Sequence, residues 1–494
     1  MQRFGLFVTV GMGVGGAAFG QINTAALDAA AAEHGLMGMS VAAQCPGGPV
    51  ATYHMGWRDF GRELPVNDAT RYRVASVSKA VTALGCAVLV EEGLLGWDED
   101  VSEVLGYTLR HPGHPDVAIT LRLLMSHRAG LRDGSGYSPF LTATYTGAPD
   151  VPNLAELVVP GGAEYTADMW GGQAPGAWFQ YANVNFGVVA TVMEAAAGER
   201  FDQLMQDRVF APLGLTCSFN VQLLPDIDDV AVLYRNQGGW VAQTDHYLGT
   251  YPPAPDLSGY TPGTNGLFFA PQGGLRASAV DLVRLYDVLA DGGGLVAPAT
   301  AEALRAEVWS ANGANGNDYY GLFSSWGLGI HRANTGPDDA LFSGFGPLVG
   351  HPGEAYGLIS DAYLEPTSGW RFAFLTNGAW SGYPLGSTAW YAVEEAVFAA
   401  LAADLAGCAA SAVPSVSPHP TAAHPVLAPN PARPGTPLLL GSSPASGLLH
   451  FARPDGATAA TSADGTVPDL APGLYLVSAP GLPAPTRLVV APER

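Results

Sequence analysis

The chain is poor in lysine. Of its 22 basic side chains only Lys79 is a lysine, set against 44 carboxylates and a formal net charge of −22. With so little positive charge, and no basic cluster to follow a phosphate backbone, nucleic-acid binding is excluded. A nucleotide P-loop is excluded as well, because it needs Gly-Lys-Ser/Thr and Lys79 is followed by Ala80. Past the first twenty residues no apolar run is long enough to span a membrane, so no transmembrane segment is expected in the mature chain. Four cysteines, Cys45, Cys86, Cys217 and Cys408, are too few for a disulfide scaffold in 494 residues, and the three complete pairings all stay open. Cys86 lies in an apolar stretch and is expected to be a buried free thiol. Metal ligands are scarce: His111-Pro112-Gly113-His114 is a proline-bounded loop without a third or fourth ligand, so neither a metal nor a cofactor is expected. Gly-x-Ser-x-Gly does not occur, which removes a nucleophile-elbow hydrolase.

What is present is organised in four regions. Arg3, the apolar Gly/Ala-rich stretch Phe4 to Ala18, and small residues ahead of Gln21 have the form of a signal peptide over residues 1–20. Residues 21–405 alternate helical and strand patterns. A proline-punctuated, small-residue linker occupies 406–425. In the tail, 426–494, glycine and proline separate short β-prone runs such as Leu438–Leu440, Leu474–Val477 and Leu488–Val490, which predicts a small β-sandwich.

The single lysine stands three residues after a serine, in Ser76-Val77-Ser78-Lys79. Arginine stays protonated at any accessible pH, whereas a desolvated lysine can give up its proton and act as a base. If Ser76 opens a helix, hydroxyl and amine share one face. The apolar run Ala80 to Val90 then makes that helix buried all round, ending at Glu91-Glu92-Gly93. Alternation of Trp370, Phe372 and Phe374 predicts a strand, preceded by another over Ala355–Ser360.

Two further segments complete a set. Tyr181-Ala182-Asn183 follows the serine motif, and His351-Pro352-Gly353-Glu354 comes later. Taken in order, Ser76-x-x-Lys79, Tyr181-x-Asn183 and His351-x-Gly353 resemble the active-site motifs of the serine β-lactamase and penicillin-binding-protein superfamily. The nearest likeness is to the class C β-lactamase, D-alanyl-D-alanine carboxypeptidase and family VIII esterase group. Leu123–Leu131, Ala211–Leu215 and Gly273–Leu282 resemble connecting segments of the same group.

The resemblance implies an α/β fold: a sheet flanked by helices, an all-helical subdomain, and the active site between them. It implies Ser76 as nucleophile, with Lys79 and Tyr181 both candidates for the base and paired as ammonium and phenolate. Asn183 would hold the Lys79 amine and, with His351 and Gly353, bind substrate. The backbone N–H groups of Ser76 and Glu354 would form the oxyanion hole. His127 is assigned no chemistry and is expected to be a buried turn residue. The implied function is acyl-enzyme hydrolysis of a small-molecule or peptide acyl substrate: a short ester, or a D-amino-acid peptide or amide. β-Lactamase or D,D-carboxypeptidase activity, and a non-catalytic penicillin- or peptidoglycan-peptide-binding module, are the alternatives. Class A and class C β-lactamases carry lysine at the place of His351, where it helps bind the substrate carboxylate; this chain has no second lysine, which disfavours β-lactams. Pro429-Asn430-Pro431, Pro472–Val477 and Arg487–Val490 make the tail similar to a type IX secretion sorting domain. That likeness implies the type IX machinery as a partner and a location secreted or at the outer cell surface, reached through the periplasm.

Overall fold

The computed structural model describes residues 22–411 and seven short strands between Leu427 and Val490. The expected signal peptide, and the linker beyond Ser411, lie outside the described residues. The chain divides into two compact units, Met1–Glu91 with Leu95–Val413 and Pro414–Arg494 with Glu92–Leu94.

The first unit is built on an antiparallel sheet. Its principal strands are β1 (Gly38–Gln44), β2 (Ala51–Asp59), β3 (His331–Ala333), β4 (Leu348–Ala355), β5 (Leu358–Leu364) and β6 (Arg371–Thr376). Across the sheet the order is Leu64–Pro65, β2, β1, β6, β5, β4, β3, Ser325–Trp326, Trp309–Ser310. Period-two alternation sends Met39, Val41 and Ala43 of β1, Ile359 and Tyr363 of β5, and Phe372 and Phe374 of β6 into one core. Two helices bring their apolar residues to that core: α1 (Thr24–His34) supplies Leu27 and Ala31, and the last helix of the unit (Ala392–Ser411) supplies Val393, Val397 and Leu401. Truncating one of the buried aromatics to alanine costs about 3–5 kcal/mol.

Against the other face of the sheet lie α2 (Val77–Glu91) and, after the helical region containing α3 (Val184–Ala197), α4 (Ala279–Asp291). The helix Ala392–Ser411 is thus α5. As the sequence predicts, α2 is buried all round, from Val77 to Leu89. Its Gly85 permits close packing, since a Cβ there would lie 2.3 Å from Met205 Sδ. α4 starts with a capping box, Ser278 and Asp281 each bonding the other's backbone N–H.

Two expected boundaries are corrected. The predicted strand Ala355–Ser360 straddles a hairpin turn, because Tyr356 (φ 56°) and Gly357 (φ 95°) both take the left-handed conformation of a two-residue turn joining β4 to β5. α5 continues to Ser411, into the stretch expected to be linker. Its alanine-rich end propagates the helix, and Cys408 within it is bonded to Cys45 at the end of β1, with Cα atoms 5.7 Å apart. Cys86 and Cys217 are buried free thiols.

The second unit holds two antiparallel sheets. One orders Leu427–Ala428, Leu439–Leu440 and Ser443–Pro444; the other orders Thr458–Ser462, Leu449–Ala452, Gly473–Ser478 and Thr486–Val490.

Candidate active site

Ser76 sits immediately before the first residue of α2, where the helix field favours negative charge. Ala75 ahead of it is held at φ 45°, an unfavourable conformation for a residue with a Cβ. One turn on, Lys79 is completely buried, and its Nζ lies 2.9 Å from Ser76 Oγ and 2.9 Å from the Gln272 carbonyl. The loop carrying Gln272 is clamped to α2 by Thr82 Oγ1, which donates to Pro271 O, and by Leu275 N, which donates to Ser78 Oγ. Burial pulls the Lys79 pKa down to about 7, partly opposed by the charge of Asp133. Near neutral pH a large share of Lys79 is therefore free amine, able to accept a proton.

Tyr181 approaches from the segment leading into α3, with Lys79 Nζ 4.8 Å from its ring centre. Burial drives the phenol far above its ordinary pKa, with the Ser76 hydroxyl opposing the shift through a hydrogen bond. Tyr181 is thus a neutral phenol. The expected ammonium–phenolate pairing is corrected: low dielectric disfavours both charged forms, so near neutral pH a neutral phenol faces a lysine that is only partly protonated.

Asn183 does not hold Lys79. Its backbone N and Nδ2 both donate to Asp133 Oδ2, at 2.8 and 2.9 Å, while Val184 N donates to Asp133 Oδ1 at 2.9 Å. A carboxylate at the start of α3 is the stronger acceptor for these donors, and the Gln272 carbonyl takes the part expected of Asn183. His127, at φ 54° and almost wholly buried, accepts from Ala182 N at 3.2 Å and packs its ring 4.5 Å from that of Tyr181. Burial first and then Lys79 hold it well below its ordinary pKa, so it is neutral and braces the tyrosine.

The third segment lies on β4. β3 covers β4 only as far as Gly350, so the edge is open from His351 onward. His351 is fully buried; its Nδ1–H donates to Pro352 O at 2.5 Å, and its Nε2 has no partner. Burial and Lys79 keep this ring neutral too. Gly353 is where backbone meets backbone: a Cβ there would come 2.3 Å from Ser360 Oγ and 3.0 Å from Ser76 N. Glu354 turns its exposed side chain the other way and accepts from Tyr391 Oη at 2.7 Å.

These groups border a cleft of about 340 Å³, lined by Ser76, Tyr181, His351, Gly353, Glu354 and Glu394 among others. That is small for a ligand pocket. Among the described residues, no arginine or lysine lines it. The His111 loop is remote in chemistry: His111 Nδ1 accepts from Gly113 N and Nε2 lies 2.8 Å from Gly171 O, so both nitrogens are committed to backbone. Sequence reasoning missed Asp133, Gln272 and Tyr391. Gln272 acts through its carbonyl, which any residue supplies. Asp133 and Tyr391 carry no local motif.

A family profile, Beta-lactamase, matches residues 23–397. The chain belongs to the beta-lactamase family. Penicillin-binding protein 4* of Bacillus subtilis is 28% identical over 206 residues, 41% of this chain and 42% of that protein. A D-aminopeptidase of Cereibacter sphaeroides is 26% identical over 241 residues, 47% of this chain and 39% of the relative. The chain thus spans about two fifths of the length of these curated relatives. Among solved structures, D-amino acid amidase from Ochrobactrum anthropi SV3 shares the fold with a TM-score of 0.56 at 19% identity, covering 79% of this chain and 98% of the amidase. SurE does so with a TM-score of 0.55 at 20% identity, covering 94% and 92%. The mixed helix-and-sheet architecture expected from the motifs is that of the family.

Proposed function

We propose that this member of a serine hydrolase family works by acyl transfer at Ser76 on small amides or esters. The observation that carries the reading is Lys79: fully buried, 2.9 Å from Ser76 Oγ, with a pKa near 7. Lys79 takes the Ser76 proton as Oγ bonds to the substrate carbonyl carbon. The tetrahedral oxygen is received by the backbone N–H groups of Ser76 and Glu354; the absence of a Cβ at Gly353, which would come 3.0 Å from Ser76 N, supports this. On collapse the C–N or C–O bond breaks, and the leaving group takes the proton from Lys79 through the neutral Tyr181 phenol, which bonds Ser76. Water, deprotonated by the same amine, then attacks the acyl-enzyme and restores Ser76. His351 in the place of a lysine, with no second lysine in the chain, and the similar proteins named as D-aminopeptidase and D-amino acid amidase support D-amino-acid amides, with short esters, over β-lactams.

A fluorophosphonate should add one label, to Ser76, and Ser76→Ala should abolish both labelling and turnover of p-nitrophenyl acetate and D-alanine p-nitroanilide. Full labelling of the Ser76→Ala variant would sink the assignment. A chromogenic β-lactam should be the poorest substrate of the panel; its hydrolysis at a higher kcat/KM than the ester would reverse the substrate reading.

We propose further that the protein is exported and passed to type IX secretion through its tail. The N-terminal charge and apolar pattern, the Gly-Leu-Tyr and Arg-Leu-Val-Val runs of the tail, and the Cys45–Cys408 bond, a feature of oxidising compartments, support this. Mass spectrometry of protein from a type IX host should find a mature start near Gln21 and a tail removed or modified beyond about Ala428; intact Met1 and Arg494 would refute it.

A further inference from the structure

Beyond Ser76 the cleft is largely apolar. Leu322, Phe323, Ile359 and Trp390 line it, the last three of them buried. Its two carboxylates are already committed: Glu354 accepts from Tyr391 Oη at 2.7 Å, and Glu394 accepts from Tyr391 N at 2.6 Å and pairs with the buried carboxyl of Asp361. Tyr320, 96% exposed, and Leu385, 70% exposed, line the same cleft. Among the described residues these are the two most exposed large apolar side chains. A single apolar side chain in water is ordinary. That the two extremes fall on one cleft, beside the candidate nucleophile, marks an apolar ligand.

The two are held in different ways. Leu385 stands on a pinned loop: it forms a bridge with Tyr391, Gly386 N donates to Trp390 O at 2.8 Å, and Thr388 N donates to Glu395 Oε1 at 2.8 Å. Tyr320 stands in a strained turn, where Tyr319 (φ 53°), Tyr320 (φ 63°) and Gly321 (φ 89°) are all left-handed. For two consecutive tyrosines that conformation is unfavourable, and it persists only where neighbours impose it. Tyr319 is the anchor, its Oη donating to Tyr181 O at 3.2 Å and accepting from Gln180 Nε2 at 3.1 Å. The turn is thereby tied to the backbone of the residue that bonds Ser76, and the ring of Tyr320 is left in water on the border of the cleft.

We propose that Tyr320 and Leu385 set specificity by closing on an apolar group of the acyl donor, so that the favoured substrates carry an acyl chain larger than acetyl. This rests on the acyl-transfer reading and names the substrate class within it. The apolar group belongs to the half that stays on Ser76: a departing amine or alcohol regains its hydrogen bonds in water, and an apolar wall disfavours holding it back. Tyr320 and Leu385 contribute by removing apolar surface from water, their own included.

The p-nitrophenyl esters of acetate, butyrate and hexanoate test this at pH 7 by varying only the acyl chain. For the wild-type protein kcat/KM should rise by about threefold per added methylene, and so by about 10²-fold from acetate to hexanoate. Tyr320→Gly, which removes the ring and suits the left-handed backbone, and Leu385→Ser should each compress that ratio to about tenfold, and Tyr320→Phe should keep it. A flat series in the wild-type protein, or an undiminished ratio in either truncation, would overturn the proposal. Hexyl acetate against ethyl acetate, followed by acid release, checks the side of the bond: a preference for hexyl acetate as large as that for the hexanoate would put the apolar group on the leaving half and overturn it as well. Fluorophosphonate labelling in the same preparations separates the two readings: a labelled Ser76 with a flat series sinks only the present inference, and an unlabelled Ser76 sinks the acyl-transfer reading beneath it.

Discussion

The two walls of the cleft handle charge in opposite ways. On the α2 side four titratable groups near Ser76 are buried and pushed toward their uncharged forms: Lys79 down to about 7, Tyr181 up, His127 and His351 down. At the outer rim Glu354 is exposed, a carboxylate held by one phenol. Desolvation prepares groups to exchange protons, because it brings the two protonation states close in energy; exposure keeps a charge fixed, which suits recognition. The same short strand, β4, serves both walls by alternation, with His351 and Gly353 toward α2 and Glu354 toward Tyr391.

The most severe test of the inner wall is Lys79→Arg. It restores permanent charge to a site that excludes it, and kcat/KM should fall by about 10²-fold or more. Near wild-type rates, with a circular-dichroism spectrum unchanged, would show that the amine moves no proton. Gly353→Ala should follow, lowering kcat more than KM by at least about tenfold, since the added methyl must displace Ser360 Oγ or the Ser76 N–H proposed to receive the developing oxyanion. An equal loss of soluble protein would mark it as a folding defect instead.

The pH profile compares the walls directly. Because the free amine is the active form, kcat/KM should rise with pH through about 7, the Lys79 value. The charge of Asp133 raises that value, so Asp133→Asn should move the rising limb to lower pH. A limb that stays in place would detach Asp133 from Lys79. The smallest effect is expected in stability. Glu394 has a raised folded pKa, about 8 against 4.5, so its contribution is present below about pH 4.5 and lost as pH rises toward 8. Glu394→Gln should therefore melt a few degrees above wild type at pH 8 and no higher at pH 4.5, by scanning calorimetry. A uniform shift at both pH values would show that the Asp361 partnership is not the cause.

Much of the candidate site was legible from side chains whose type is itself unusual. One lysine in 494 residues, three after a serine, marks its own site. The all-apolar run after it marks a central helix, and the Trp370–Phe372–Phe374 alternation marks a buried strand. What escaped acts through geometry. The Gln272 carbonyl reaches Lys79 because two hydroxyls of α2 grip its loop. Asp133 and Tyr391 reach the site across 50 and 37 residues of sequence. The Asn183 amide was given to the wrong partner because a helix start creates donors that a carboxylate outcompetes others to fill. The strand boundary at Ala355 failed where a tyrosine takes a conformation usually left to glycine or asparagine.

The Cys45–Cys408 bond joins residues 363 positions apart, one at the end of the first sheet strand and the other near the end of the last helix. A closure of that span restricts the unfolded chain by roughly 5 kcal/mol on a chain-entropy account. It also closes residues 45–408 into a covalent ring, so a single cut within that span leaves both pieces joined and α5 still tied to the end of β1.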